Sequence, residues 1–187
     1  MRLFVAVHPP PEAVADLAAQ VARLRIGLAA AAGTDVRLAD PADVHVTVAF
    51  LGEVGVDRLP AVRDALDRAA GPCRGPEPPR LRLGRGGRFG YGRRTVLWVD
   101  VLGEVERLAT LAGRIRDELC AAGLPHDDRP FRPHLTIARP GDRIDVEEDR
   151  ITLDGYLGPS WRATEVVLVR SHLGPVRRYD HLAAWPL

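Results

Sequence analysis

The sequence predicts an α+β domain with two lobes, whose two antiparallel sheets line a central cleft with helices outside. Its 187 residues suit one domain with a substantial hydrophobic core, and 46% of them are hydrophobic. The predicted helices are few and several predicted strands follow one another directly, which favours antiparallel sheets over a doubly wound parallel sheet. One strand motif occurs twice, at 45–52 and 134–141. We therefore expect a single domain, 1–187, whose two lobes are related by an approximate two-fold axis.

The first half of the chain alternates predicted strands and helices. Three prolines after the first strand favour a helix start, and apolar residues at three- and four-residue steps from Val14 to Leu28 form the buried stripe of that helix. Gly33 ends it. In chain order, the predicted elements are a buried strand at 2–8, a helix at 12–31, a short strand at 36–38, the first motif strand at 45–52 and a helix at 57–70.

The second half contains a hairpin, a long helix and further strands. A glycine-rich stretch at 84–92 is typical of a long hairpin loop. A helix with an apolar stripe from Val105 to Leu119 ends at Gly123. In chain order, we predict a strand beginning at 80–83, the loop at 84–92, a strand at 95–102, a helix at 104–122, the second motif strand at 133–139, a polar irregular segment at 141–159 with one short helix or strand near Ile151, and strands at 164–171 and 179–185.

The repeated motif reads HVTVAFLG at 45–52 and HLTIARPG at 134–141. Both copies alternate in the way that a half-buried β-strand does. His45 and Thr47 therefore share one face of their strand, and His134 and Thr136 share one face of theirs. Aliphatic residues occupy the opposite faces. A strand that shows an imidazole and a hydroxyl on one face, with aliphatic residues behind, indicates a functional surface.

Two imidazoles that face each other across a cleft suit general acid–base catalysis. The unperturbed pKa of histidine is about 6.5, so near neutral pH one ring can be charged and the other neutral. His45 and His134 are therefore the candidate catalytic residues. The hydroxyls of Thr47 and Thr136, together with the guanidinium of Arg139, suit a phosphoryl group held between the two strands.

The charge composition limits the contacts with nucleic acid. The net charge of +1 predicts no bulk attraction to nucleic acid, so any RNA contact comes from a local patch. All 26 basic residues are arginine, so a cationic phosphate contact is a guanidinium. The stretch at 84–92, rich in arginine and glycine with two aromatic residues, is compatible with an RNA contact and equally with a hairpin tip. The other four histidines have no partner pattern and are interpreted as structural or surface residues: His8, His126, His172 and His181.

The sequence predicts neither a metal site nor a cofactor. Cys73 and Cys120 form no CxxC pair and have no histidine at zinc-binding spacing. The acidic run at 147–149 is interpreted as a solvated loop, and the clusters of a two-metal site are missing from the sequence. GxxxxGK[ST], GxGxxG, GxSxG and HExxH motifs are also missing. Cleavage of a phosphate ester without metal needs an activated substrate, and a strained five-membered cyclic phosphate qualifies.

Cysteine use and hydropathy predict a cytoplasmic protein. Two cysteines without a pairing pattern are typical of a reduced compartment. The apolar run at 3–7 is too short for a signal sequence, and no stretch of the sequence is long enough to span a membrane. We expect a monomer with no membrane partner.

The doubled motif resembles that of the two-histidine (2H) phosphoesterase superfamily. Within it, the chain looks like the bacterial and archaeal RNA 2′,3′-cyclic phosphodiesterases, the LigT-like group once described as 2′-5′ RNA ligases. The resemblance covers almost the whole chain. It includes the opening strand at 2–7, the first motif, VLW at 96–98, RPFRPHLTIAR at 129–139, and the closing segment at 171–187.

This resemblance implies a bilobal α+β fold and hydrolysis of a 2′,3′-cyclic phosphate, at an RNA 3′ end or on a small nucleotide, to a 2′-phosphate without metal or cofactor. By similarity, His45 is the general acid that protonates the 3′ oxygen and His134 is the base that activates water. The near two-fold symmetry makes this assignment reversible. The remaining family positions fall on the phosphate-binding Thr47 and Thr136, the base-stacking Phe50, and Arg139 near the substrate.

The expected roles of Phe50 and Arg139 require an irregularity in both motif strands. Strict alternation would place both on the faces opposite their histidines, so each strand has to end or bend after Ala49 or Ala138. One departure from the family concerns 36–38, where the sequence reads VRL and family members often carry a tryptophan. A different cleft wall is the expected consequence.

Two other functions fit the same residues. One is a 2H enzyme with another substrate, such as a 2′,5′-linked oligonucleotide or an ADP-ribose cyclic phosphate. The other is a non-catalytic protein that binds RNA ends or nucleotides. The presence of both histidines and both threonines favours an enzyme over a binding protein.

Overall fold

The computed structural model describes residues 1–172, 174 and 178–187. Leu173 and Pro175, in the closing segment that resembles the 2H family, lie outside the described residues. The strands are Arg2–Val7 (β1), Val46–Glu53 (β2), Arg80–Phe89 (β3), Val96–Gly103 (β4), His134–Ala138 (β5), Leu157–Arg162 (β6), Glu165–His172 (β7) and Arg178–Pro186 (β8). The α-helices are Pro11–Val21 (α1), Arg25–Ala31 (α2), Leu59–Ala70 (α3), Val105–Ala121 (α4) and Glu147–Asp154 (α5).

The eight strands form one antiparallel sheet in the order β6-β3-β4-β5-β2-β1-β7-β8. The α+β class is thereby confirmed. The sheet has two four-stranded halves, but the pair Val46–Leu135 joins the two motif strands, so the halves form one continuous sheet instead of two separate ones. Both residues are fully buried, and this burial of aliphatic surface favours the junction.

The helices cross from one half of the sheet to the other. Helix α1 leaves β1 and packs on β6 and β3 of the other half, where α5 also packs. Helix α4 leaves β4 and packs on β2 and on α3. The buried residues of both halves consequently form one large core cluster. No helix in the described part of the chain is long and apolar enough to cross a membrane.

Strand β1 shows how the sheet separates the core from the cleft. Leu3, Val5 and Val7 point into the core beneath the helices. Phe4 and Ala6 lie on the opposite face, in a small cluster with two valines of β7. The period of two in the sequence thus gives each strand one face for packing and one face for the cleft.

The predicted helix at 12–31 is wrong in one respect, because the chain breaks between α1 and α2. Leu24, at the break, is buried and extended, with φ −76° and ψ 159°. A Cβ atom on Gly27 would lie 2.1 Å from the carbonyl oxygen of Val21. Because Gly27 has no side chain, α2 can pack closely against the end of α1.

Asp149 caps α2 from a distant part of the chain. Its carboxylate accepts the backbone N–H groups of Arg25 at 2.8 Å and of Ile26 at 3.1 Å. These donors belong to the first turn of α2, where no intrahelical acceptor exists. The acidic run at 147–149 was predicted as a solvated loop, and this is wrong: the run begins α5, and Asp149 is only 1% exposed.

The predicted hairpin loop at 84–92 is also wrong for most of its length, because β3 continues to Phe89. A Cβ atom on Gly87 would lie 2.0 Å from the ring of Trp98, so the indole packs directly on the strand backbone. Gly86 similarly leaves room for α5, and a bulge places Arg85 at φ 56°. The glycines are thus positions of close packing inside a strand.

The other predicted elements agree with the structure, with two exceptions. The short strand at 36–38 is reduced to a single bridge between Leu38 and Ala138. The segment 141–159 contains a short helix near Ile151, as expected, but also the first half of β6, which was not predicted. Gly158 and Pro159 weaken the strand pattern there, and such residues are tolerated because β6 lies at the edge of the sheet.

Replacement of Asp149 by alanine should lower the free energy of unfolding by about 1–2 kcal/mol, because one buried and one partly buried N–H group of α2 lose their acceptor. Urea unfolding followed by circular dichroism measures this. The matched control is Glu148→Ala, on the same helix as Asp149. It removes only an exposed ion pair with Arg25 of α2. We expect a clearly smaller loss for the control, and equal losses would contradict the capping role.

Two glycine substitutions should change stability in opposite directions. Gly87→Ala should destabilise the protein by about 1–3 kcal/mol, since the added methyl group overlaps the ring of Trp98. Gly113→Ala, in the middle of α4, meets nothing within 4 Å and should stabilise by about 0.5–1 kcal/mol through helix propensity. Thermal unfolding of both variants provides the test. A neutral Gly87→Ala would show that Trp98 can move away at no cost.

Candidate active site

The pairing of β2 with β5 brings the two motifs together. Val46 lies opposite Leu135 in an antiparallel pair. The same register sets His45 across from Thr136 and Thr47 across from His134. All four side chains belong to the faces opposite the buried aliphatic residues, so each histidine has the hydroxyl of the other motif as its neighbour.

These four residues lie where two compartments of a cleft meet. The main compartment, of about 910 Å³, and a second one, of about 640 Å³, are both lined by His45, Thr47, His134 and Thr136. The main compartment is also lined by one aspartate, Asp127, and by five arginines, Arg2, Arg116, Arg129, Arg132 and Arg139. The second is also lined by three aspartates, Asp35, Asp40 and Asp43, and by two arginines, Arg37 and Arg139. The main compartment is therefore rich in arginine, and the second has more acidic than basic side chains.

The two histidines are oriented by the same local hydrogen bond. Nδ1 of His45 lies 2.7 Å from the carbonyl oxygen of Asp43, and Nδ1 of His134 lies 2.7 Å from the carbonyl oxygen of Arg132. A carbonyl oxygen only accepts, so Nδ1 carries the proton and donates it in both cases. In the neutral ring Nε2 is then the unprotonated nitrogen. Nε2 is therefore the basic nitrogen of each neutral imidazole.

Each imidazole also packs against two aromatic rings. The ring centroid of His45 lies 4.7 Å from that of Phe4 and 5.5 Å from that of Tyr179. The centroid of His134 lies 5.0 Å from that of Phe89, which it meets edge to face, and 5.8 Å from that of Trp98. These contacts restrict rotation of the imidazoles and shield one side of each from solvent.

Phe50 reaches the cleft because β2 contains bulges. In the pairing with β1, Val5 lies opposite Ala49 and Ala6 opposite Thr47, so the register shifts by one residue between them. The shift places Phe50 on the same face as Thr47, and it lines the main compartment. The bend that the sequence required is therefore present, but it lies between Thr47 and Ala49 instead of after Ala49.

Arg139 reaches the cleft because β5 ends just before it. The strand closes at Ala138, and the register with β4 shifts between the pairs Leu97–Ala138 and Trp98–Thr136. Arg139 lines both compartments of the cleft. The structure thus brings all six candidate residues to one site.

The environment of His134 favours its neutral form. Burial lowers the pKa of this imidazole, and the positive charges of Arg132 and Arg139 act in the same direction. The hydrogen bond to the Arg132 carbonyl and the negative charge of Asp100 oppose them. A lowered pKa leaves His134 unprotonated near neutral pH, which is the form that accepts a proton.

Sequence patterns missed several residues of the site. Alternation along β1 could have identified Phe4, but Tyr179 and Phe89 come from strands distant in sequence. His8 was interpreted as a structural or surface residue without a partner. It is half-buried, its ring centroid lies 6.0 Å from that of His45, and its contact with His181 is shorter, at 4.8 Å.

The described side chains were compared with the ligand sets that metal ions need. The described residues include no group of three or more His, Cys, Asp or Glu side chains that could hold a metal ion. Cys73 and Cys120 are free thiols. That the reaction needs neither metal nor cofactor stays a prediction.

The chain is similar to proteins of one family over most of its length. The sequence model of the 2′-5′ RNA ligase superfamily matches residues 9–175. A Thermus thermophilus protein named RNA 2′,3′-cyclic phosphodiesterase is 31% identical over 184 residues, which cover 94% of this chain and 84% of that one. A Geobacillus stearothermophilus protein of the same name is 27% identical over 146 residues; these cover 78% of this chain but only 46% of that one, about half its length.

A solved structure extends the likeness to the fold. The crystal structure of E. coli LigT complexed with 3′-AMP has a TM-score of 0.73 to this chain and 26% sequence identity. The match covers 100% of this chain and 97% of that one. The sheet and helices described above therefore have the arrangement of a nucleotide-bound relative.

Both site histidines should be found in the same tautomer. Nitrogen-15 NMR of the neutral protein should show a protonated Nδ1 and an unprotonated Nε2 for His45 and for His134, because both Nδ1 atoms donate to carbonyl oxygens. His126 provides a contrast, because its Nδ1 lies 3.0 Å from the carbonyl oxygen of Leu124 while its Nε2 lies 3.0 Å from the carboxylate of Asp128, so both nitrogens have an acceptor. A protonated Nε2 on either site histidine would contradict the orientation described here.

Proposed function

Because the chain belongs to the 2′-5′ RNA ligase superfamily, we propose that it hydrolyses the 2′,3′-cyclic phosphate of an RNA 3′ end, or of a small cyclic nucleotide, to a 2′-phosphate. The observation that carries this proposal is the pair of His45 and His134, which line one cleft with Nδ1 held by a carbonyl in both. Relatives are named RNA 2′,3′-cyclic phosphodiesterase, and a related structure contains 3′-AMP. These names agree with a nucleotide substrate.

The reaction uses the two histidines on opposite sides of the phosphorus atom. Nε2 of His134 takes a proton from water as the water oxygen forms a bond to phosphorus. The bond between phosphorus and O3′ breaks, and O3′ takes a proton from Nε2 of His45. The products are a 2′-phosphate and a free 3′-hydroxyl group. His45 and His134 then return to their starting states by exchanging one proton with solvent.

The neighbouring polar groups hold the phosphate during this step. Thr47 and Thr136, each across from the other motif's histidine, donate hydroxyl hydrogens to the non-bridging oxygens. Arg139 adds a guanidinium at the junction of the two compartments. These donors stabilise the negative charge that builds up on the phosphoryl oxygens in the transition state.

The two compartments differ in charge, and this orients the substrate. Phosphate groups that precede the cyclic end are anions and fit the main compartment, with its arginine side chains, better than the acidic second compartment. Phe50, in the main compartment under the Arg2 guanidinium at 5.0 Å, offers a ring on which a base can stack. The second compartment leaves an entry for water.

His45→Ala and His134→Ala should each reduce turnover of 2′,3′-cyclic AMP by about 10²–10⁴, since each removes one proton transfer. Thr47→Val should lower the rate through lost phosphate contacts. Its matched control is Thr152→Val, because the Thr152 hydroxyl bonds only to the Glu148 carbonyl on α5. Phosphorus NMR of the product should show a 2′-phosphate, and a chelator should leave the rate unchanged.

Three results would contradict the proposal. They are full activity of both histidine variants, loss of activity with a chelator, and a 3′-phosphate product. A protein that binds 2′,3′-cyclic AMP and never turns it over would instead be a nucleotide-binding protein, the non-catalytic alternative that the sequence leaves open.

A 2′,5′-linked oligonucleotide is the second candidate substrate. The observation in its favour is the second compartment of about 640 Å³, which meets the main one at the motif residues and has room for a nucleoside on the far side of the phosphate. Comparison of kcat/KM for the 2′,5′-linked dinucleotide and the cyclic phosphate decides between the two. An ADP-ribose cyclic phosphate belongs in the same panel.

We also propose that the protein acts in the cytoplasm as a monomer. Support comes from its two cysteines, both free thiols, which agree with a reducing compartment. Light scattering coupled to gel filtration should give the mass of one chain, 20.4 kDa.

A further inference from the structure

The two halves of the site differ at one equivalent position. Asp100 on β4 lies directly opposite His134. On the other half, Val7 of β1 lies opposite Val46, so the next pair in that register is His8 with His45. Each candidate catalytic histidine thus has one cross-strand neighbour at the same place, a carboxylate for His134 and an imidazole for His45.

Asp100 is close enough to His134 to act on it. The adjacent pair is hydrogen-bonded, because the Val101 N–H donates to the Pro133 carbonyl at 3.1 Å. Pairs alternate along an antiparallel ladder, so Asp100 and His134 form a non-hydrogen-bonded pair, the type in which side chains approach most closely. Their Cβ atoms are then about 4.5–5.5 Å apart on one face of the sheet.

Among the residues that the structure describes, Asp100 is the acidic group that acts on His134. The charged groups around this imidazole are Arg132 before β5, Arg139 after it and Asp100 on β4. Arg85 of β3 faces Asp100 from the other side. Burial raises the pKa of Asp100, while Arg132, Arg85 and His134 oppose the rise and favour the carboxylate.

His45 has a neutral neighbour instead. Burial, with the nearby His181 and His45, lowers the pKa of His8 to about 4, so His8 is uncharged at neutral pH. The rings of Phe4 and Tyr179 also pack against His45. A neutral ring does not stabilise an added positive charge in the way that a carboxylate does.

We propose that Asp100 is a positioning residue that stabilises the protonated form of His134, and that it thereby assists His134 as the general base. The inference rests on the proposed function. As water loses its proton to Nε2, the growing charge on the His134 ring meets the fixed negative charge of Asp100.

Asp100→Asn tests the first part without any turnover. Removal of the negative charge should move the NMR titration midpoint of His134 to lower pH and leave that of His45 in place. Asp142→Asn is the matched control, because the Asp142 carboxylate pairs with the exposed Arg93 at 3.5 Å. Asp100→Glu should restore the His134 midpoint, and Asp100→Ser carries the same test if Asp100→Asn does not fold. An unchanged midpoint in Asp100→Asn would overturn the proposal.

A substrate with sulfur in place of O3′ tests the second part. A thiolate leaves without a proton, so this substrate needs no general acid. Asp100→Asn should lower kcat/KM about tenfold on the oxygen substrate, which is less than the loss of a whole proton transfer, and by a similar factor on the sulfur substrate. His45→Ala should regain activity on the sulfur substrate, and His134→Ala should not.

The outcomes separate the two proposals. Recovery of Asp100→Asn or His134→Ala by sulfur would assign His134 as the acid and overturn the inference. Absence of turnover on every cyclic phosphate would contradict the proposed function. The titration of His134 would still decide whether Asp100 acts on that imidazole.

Discussion

The antiparallel pairing of β2 with β5 is the contact on which the site depends. A single pair, Val46 with Leu135, joins two four-stranded halves into one sheet. Its two side chains are fully buried beneath the helices, so the same residues that stabilise the junction also orient the opposite face. On that face the pairing sets each histidine against the threonine of the other motif. Neither half has this arrangement by itself.

The crossing of the helices makes the junction rigid. Helices α1 and α4 each leave one half of the sheet and pack on the other, so both halves share one hydrophobic core. The Asp149 cap adds a polar link, because it holds the start of α2 from a helix more than a hundred residues away in the chain. Separation of the halves would expose this core, and the distance between the motif residues is therefore well defined.

The approximate two-fold symmetry has chemical limits. It gives both imidazoles the same tautomer and comparable aromatic walls. Acid–base catalysis on one phosphate, however, needs one proton donor and one proton acceptor. The difference has to come from positions where the halves are unlike, such as Asp100 and His8, and from the unequal charge of the two cleft compartments.

Local sequence patterns were sufficient for most helices and strands, and they placed each histidine and threonine pair on one face of a short alternating strand. They failed where a distant contact decides the outcome. The glycines near Gly87 look like a loop until Trp98 packs on them, and the acidic run looks solvated until Asp149 meets the N-terminus of α2. The sequence by itself determined that the two histidines and two threonines share the cleft faces, because side-chain alternation is a property of each strand. The tertiary structure alone decided that Phe50 and Arg139 also reach the cleft and which groups surround each imidazole, because bulges, strand ends and neighbours from distant strands are not local patterns.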